Sequence, residues 1–108
     1  MTNSKAAAEA RAALGRQLAA SRRAAGLSQE QLAPLSGYSR STVANAETGR
    51  QRAPREFWKQ CDLALETGTA LARGLDEVEA LERRGHLQAA AVAQQARVVT
   101  GIERSTSS

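Results

Sequence analysis

Glycines at positions 26, 37 and 49 divide the middle of the chain into two short segments, and a serine follows each of the first two by two residues. Glycine suits the left-handed turn that ends a helix, and serine suits the cap that begins the next. Gly26 therefore closes a first amphipathic helix, Leu14–Ala25, with Leu14 and Leu18 on one face and Arg16, Arg22 and Arg23 elsewhere. Ser28 with Gln31 three residues later forms a capping box, and Leu27 stands in the staple position. The spacing predicts a second helix over Gln29–Leu35, a turn at Ser36-Gly37-Tyr38, and a third helix from Ser39 to about Thr48, stopped by Gly49.

Pro54 opens a fourth helix with Phe57, Cys61 and Leu65 or Ala64 on its core face, and Gly68 ends it. Thr69 caps a fifth, running to about Arg84, with Leu71, Leu75, Val78 and Leu81 or Glu82 as a stripe at helical spacing. Gly85 breaks it, and His86–Val99 reads as a sixth, Ala-rich helix. β-Branched residues nowhere alternate with polar ones over a useful length, which argues against a sheet. The expected fold class is all-α: a compact four- to five-helix bundle with a C-terminal helical extension. Alanine supplies much of the 42% apolar content, and Tyr38, Phe57 and Trp58 are the three aromatics, so a thin core is expected.

Charge is unevenly placed. The net charge is +4 and the pI about 10.2. Residues 1–56 carry nine Lys+Arg against four Asp+Glu, and residues 57–108 six against seven. The first half suits an anionic partner such as a phosphate backbone; a merely solubilising surface is the alternative. With one Cys and one His, the chain can form neither an internal disulfide nor a zinc cluster, and Cys61 reads as buried filler. No apolar run reaches the length of a membrane span or a signal-peptide core, so a cytoplasmic, nucleoid-associated protein is expected.

Two short helices joined by a tight glycine-containing turn are the signature of a helix-turn-helix. In that unit the second helix lies in the DNA major groove while the first braces on the backbone. At 100° per residue, Ser41, Ala44, Asn45 and Thr48 share one face of the third helix, and Thr42, Val43 and Ala46 the other.

The run LSQEQLAPLSGYSRSTVANAETGRQRAP resembles the helix-turn-helix of the Cro/C1-type (Xre) family, with a lambda-repressor-like fold. Gly26, Ser28-Gln29, Leu32-Ala33, Gly37, Ser39, Val43, Glu47, Gly49 and Pro54 carry the match, which with Leu14, Leu18 and Arg22 covers about residues 13–66. The resemblance implies base contacts from Arg40, Ser41, Ala44 and Asn45. Arg suits guanine, Asn suits adenine, and Ala leaves room for a thymine methyl. It implies phosphate contacts from Ser28, Gln29, Ser39, Arg50, Arg52 and Arg55, and an internal ion pair between Arg22 and Glu47. Arg40, Asn45 and the cluster Arg50, Arg52 and Arg55 also have a plain reading as solvated surface groups, and Tyr38 as a turn residue packed on the core. Two positions depart from the family pattern. Pro34 falls inside the second helix and predicts a kink or an early end. Ala46 stands where a larger apolar residue is usual and predicts an underfilled local core, which Phe57 or Trp58 would compensate.

The expected organisation is a flexible N-terminal segment (1–10), the DNA-binding domain (11–67), a helical extension serving dimerisation (68–99) and a disordered tail (100–108). The Leu71, Leu75, Val78 and Leu81 stripe is covered either by the chain's own body or by a second copy, and a homodimer is favoured. The run Asp76-Glu77-Val78-Glu79 reads as a solvated face or as a docking surface for a basic protein partner. The function expected is a sequence-specific double-stranded DNA-binding transcriptional regulator, most simply a repressor. The alternative is a plasmid or phage maintenance protein or antitoxin, and less so an interaction adapter. No Ser/His/Asp set, metal cluster or phosphate loop is present, and His86 has nothing to pair with, so neither an enzyme, a cofactor nor a small-molecule ligand is expected.

Overall fold

The computed structural model describes residues 2–85. Those residues form five helices: α1 (Thr2–Ala24), α2 (Gln29–Ser36), α3 (Arg40–Thr48), α4 (Arg55–Leu65) and α5 (70–85). No strand occurs among the described residues. The sixth helix expected over His86–Val99 and the tail from 100 lie outside them.

α1 begins at Thr2, ahead of the helix expected over Leu14–Ala25. The run from Lys5 to Ala13 is dominated by alanine, which loses no side-chain entropy in a helix. The burial of Ala7 and the packing of Ala10 against the core anchor that extension.

The helix boundaries around the central turn follow from caps. Ser28 Oγ accepts the Gln31 N–H at 3.1 Å, and Gln31 Oε1 accepts the Ser28 N–H at 2.8 Å, which completes the capping box. Pro34 neither ends α2 early nor breaks it: the helix continues to Ser36, and Gly37 closes it at φ 78°. Ser36 Oγ accepts the Tyr38 N–H at 3.2 Å, so the turn is stitched by a buried hydroxyl. Ser39 Oγ accepts the Thr42 N–H at 3.2 Å to open α3, and Gly49 closes α3 in the left-handed region.

One continuous core joins all five helices: Leu14 and Leu18 of α1, Leu32 of α2, Val43 of α3, Phe57 and Cys61 of α4, Leu71 and Val78 of α5. The three aromatics form an edge-to-face string, Tyr38 to Phe57 at 5.6 Å and Phe57 to Trp58 at 5.2 Å. The shortage expected at Ala46 is met from another direction. A Cβ on Gly15 would lie 2.5 Å from the Ala46 carbonyl oxygen and 2.4 Å from that of Glu47. α1 therefore crosses the last turn of α3 at backbone contact, and the absence of a side chain at Gly15 is what lets it come so close.

α4 ends at Leu65, with Glu66 taking the left-handed cap position at φ 54°, ahead of Gly68 where the end was expected. The N-terminus of α5 is capped by a residue distant in sequence. Asp62 Oδ1 accepts the Leu71 N–H and Oδ2 the Ala72 N–H, both at 3.0 Å, in the role expected of Thr69. α5 then lies on the bundle, Gly74 admitting Leu14 so closely that a Cβ would meet its Cδ1 at 2.5 Å. Of the two coverings expected for the α5 stripe, the chain's own body takes Leu71 and Val78, which are 0% and 3% exposed. Leu75 and Leu81 remain half-buried.

Candidate nucleic-acid interface

α3 is divided by burial as its sequence periodicity requires. Val43, Ala46 and Glu47 face inward, while Arg40, Ser41 and Thr48 are exposed and Ala44 and Asn45 half-buried. Arg40, Ser41, Ala44 and Asn45 thus lie together on the open side. Arg40 stands 4.0 Å from Glu30 of α2, with both side chains mostly in solvent, a pairing too weak to immobilise it. Asn45 is held more firmly: its Nδ2 donates to Gln51 Oε1 at 2.9 Å. An Asn amide carries two N–H donors and one carbonyl, so one N–H and the oxygen stay free, the pair that adenine N7 and N6 require. Gln51 escaped the sequence reading because its partner lies six residues away across a turn whose geometry the sequence does not state.

The inward side of α3 is fixed by charge as well as by apolar contact. Arg22 Nε donates to Glu47 Oε2 at 2.6 Å and Arg22 Nη2 to Glu47 Oε1 at 3.2 Å. Arg22 Nη1 donates to the Leu27 carbonyl at 2.8 Å. Both residues are 8% exposed, so the ion pair expected between them is present and buried. Gln29 joins it, its Nε2 donating to Glu47 Oε1 at 2.9 Å. Three donors thus converge on one carboxylate and tie α1, α2 and α3 into a single frame. Gln29 is held in this frame by one of the two hydrogens of its amide nitrogen. Ser28 and Ser39 are exposed at the starts of α2 and α3, each using a lone pair for its cap.

The arginines after α3 are not alike. Arg50 is exposed and in none of the ion pairs among the described residues. Arg52 Nη2 lies 2.8 Å from Glu82 Oε1, and Arg11 Nη2 lies 3.5 Å from the other oxygen of Glu82. Arg55 Nη2 lies 2.7 Å from Asp76 Oδ1 and also pairs with Glu79. The hydrogen bond that Arg55 donates to Asp76, with the charges of Asp76 and Glu79, pushes the Arg55 pKa above its ordinary value. The acidic run on α5, read from sequence as a solvated face or a docking surface, meets the chain's own basic edge.

Other chemistry is sparse. Cys61 is buried, and burial foremost, then the charges of Asp62 and Glu47, push its thiol pKa up to about 12. Such a thiol stays protonated and inert at neutral pH. Among the described residues no group of three or more His, Cys, Asp or Glu is placed to hold a metal ion. No helix among them is long and apolar enough to cross a membrane.

No curated protein and no solved structure shows a significant match to the chain. A family model, described as a helix-turn-helix domain, matches residues 13–75. That span takes in the Arg22–Glu47 frame, both short helices, α4 and the first turns of α5, so its sequence pattern and its geometry coincide. The chain belongs to the helix-turn-helix domain family.

Proposed function

We propose that the chain is a sequence-specific double-stranded DNA-binding transcriptional regulator of the Cro/C1 type, acting as a repressor that occludes a promoter on the nucleoid. The observation that carries this reading is the division of α3. One side is locked by Val43, Ala46 and the buried Glu47. The other presents Arg40, Ser41, Ala44 and Asn45, a set able to read guanine, adenine and a thymine methyl. Arg50, Arg52 and Arg55, which follow α3 in the chain, supply phosphate contacts on this reading, as do Ser28, Ser39 and the remaining amide hydrogen of Gln29.

The protein binds as a homodimer on this reading, because a single small module buries little DNA surface and symmetric half-sites one helical turn apart double the contact. With Leu71 and Val78 committed to the core, the dimer contact uses other surface. The test is recovery of bound fragments from sheared genomic DNA, with an Arg40→Ala/Asn45→Ala variant in parallel. An enriched inverted repeat with half-sites about one turn (~10 base pairs) apart, lost in the variant, supports the reading. Equal recovery of all fragments by both proteins refutes sequence-specific recognition by α3.

A further inference from the structure

The ion pairs of α5 are out of proportion to any need to hold that helix in place. Leu71 and Val78 are buried, Gly74 seats Leu14, and Asp62 caps the first turn. Pairs whose arginine side chains stay 65% (Arg52) and 40% (Arg55) exposed add little to such an anchor. Their position is the informative feature. Asp76, Glu79 and Glu82 reach back across the fold to cations of α1, the α3–α4 loop and α4. Arg50, on the same loop, is left out of these pairs.

We propose that α5 carries a built-in competitor for DNA: its carboxylates occupy Arg52 and Arg55, the guanidinium groups that phosphates would otherwise engage. A carboxylate presents two oxygens to a guanidinium much as a phosphate does, so the two anions compete for the same fork of N–H donors. DNA must displace Glu82 from Arg52, and Asp76 and Glu79 from Arg55, and the displaced carboxylates then stand near the phosphates. The cost is met at every sequence, because every complex engages the phosphates. Base contacts from α3 add to binding at a specific site without meeting this competition. The device therefore lowers affinity for DNA in general, so that binding without base contacts is the first to be lost as salt rises. It rests on the DNA-binding reading above.

The test uses the full chain and a fluorescent 40-base-pair duplex of random sequence, titrated at several salt concentrations. Glu79→Gln/Glu82→Gln, which frees Arg52 and leaves Arg55 to Asp76 alone, is expected to bind about fivefold more tightly than the wild type, with a salt slope steeper by about one unit. Asp76→Asn removes the other partner of Arg55 and moves affinity the same way. Glu77→Gln, which removes the same charge from an exposed position outside these pairs, sets the general charge effect and changes binding far less. In an Arg52→Ala/Arg55→Ala background the gain from Glu79→Gln/Glu82→Gln disappears. An equal gain from Glu77→Gln, or a gain that persists in that background, overturns the competitor. So does unchanged affinity in Glu79→Gln/Glu82→Gln while Arg50→Ala still weakens binding, an outcome that leaves the DNA-binding reading intact. Absence of duplex binding by every variant at low salt removes both.

Discussion

The carboxylate of Asp62 reaches the backbone N–H of Leu71, nine residues ahead, at 3.0 Å, and so fastens α5 to the end of α4. The same group accepts from Ala72 and from the Thr67 hydroxyl, so its lone pairs are well used although the residue is only 4% exposed. Asp62→Ala leaves two orphan donors at the start of α5 and should cost about 2 kcal/mol. Urea unfolding would give the loss, and hydrogen exchange at Leu71 and Ala72 would place it. Unchanged exchange at both amides would refute the capping role.

The buried pair Arg22–Glu47 should behave asymmetrically. Arg22→Met leaves Glu47 charged and short of two of its three donors, and should cost about 3–5 kcal/mol. Arg22→Met/Glu47→Met removes the uncompensated charge and should recover much of that loss. A double variant as unstable as the sum of the two single ones would show that the groups act independently.

Gly15→Ala tests the crossing of α1 over α3. The added methyl would collide with backbone carbonyls at 2.4 and 2.5 Å, which cannot rotate away. A substitution that raises intrinsic helix propensity should therefore destabilise, by about 1–3 kcal/mol. A gain in thermal stability would contradict the backbone contact.

On DNA, Asn45→Ala should relax preference at one base-pair position by about 1–3 kcal/mol while leaving the salt slope nearly unchanged. Arg50→Ala should weaken all sequences alike and shallow the slope by about one unit. Gln51→Ala, which frees the Asn45 amide to rotate, should lose part of the same preference as Asn45→Ala. Indistinguishable behaviour of Asn45→Ala and Arg50→Ala would collapse the division between base and phosphate contacts.

Cys61 gives a pH prediction. Its thiol pKa is raised to about 12 from an ordinary 9.0. A raised folded-state pKa means that the unfolded thiol ionises first, so its contribution to stability is complete below pH 9 and declines as pH rises from 9 toward 12. At pH 8 a thiol reagent should label Cys61 only as fast as the core opens, and Cys61→Ser should remove the label entirely. Immediate labelling of the native protein would show the site to be open.

What the sequence disclosed, it disclosed locally. Ser28, Ser39, Gly37 and Gly49 act on backbone groups within a few residues, so their roles follow from spacing alone. The Arg22–Glu47 pair spans 25 residues and was legible only through family resemblance. What escaped depended on helices meeting in space. Gly15 reads as an indifferent helix residue until α3 is laid across it. Asp62 looks like an exposed acid until α5 turns back over it. Glu82 and Arg52, 30 residues apart, show no pattern that would join them. The helical start of α1 was not foreseen because chain ends are usually frayed, whereas here Ala7 is buried and Ala10 packs against the core.

The backbone contact at Gly15 gives α1 a mechanical standing that its plain sequence conceals. With no side chain between Gly15 and the α3 carbonyls there is nothing compressible at that crossing. α1 is 23 residues long, a rod of about 34 Å, so any tilt of α3 at the crossing would be carried along that length as by a lever.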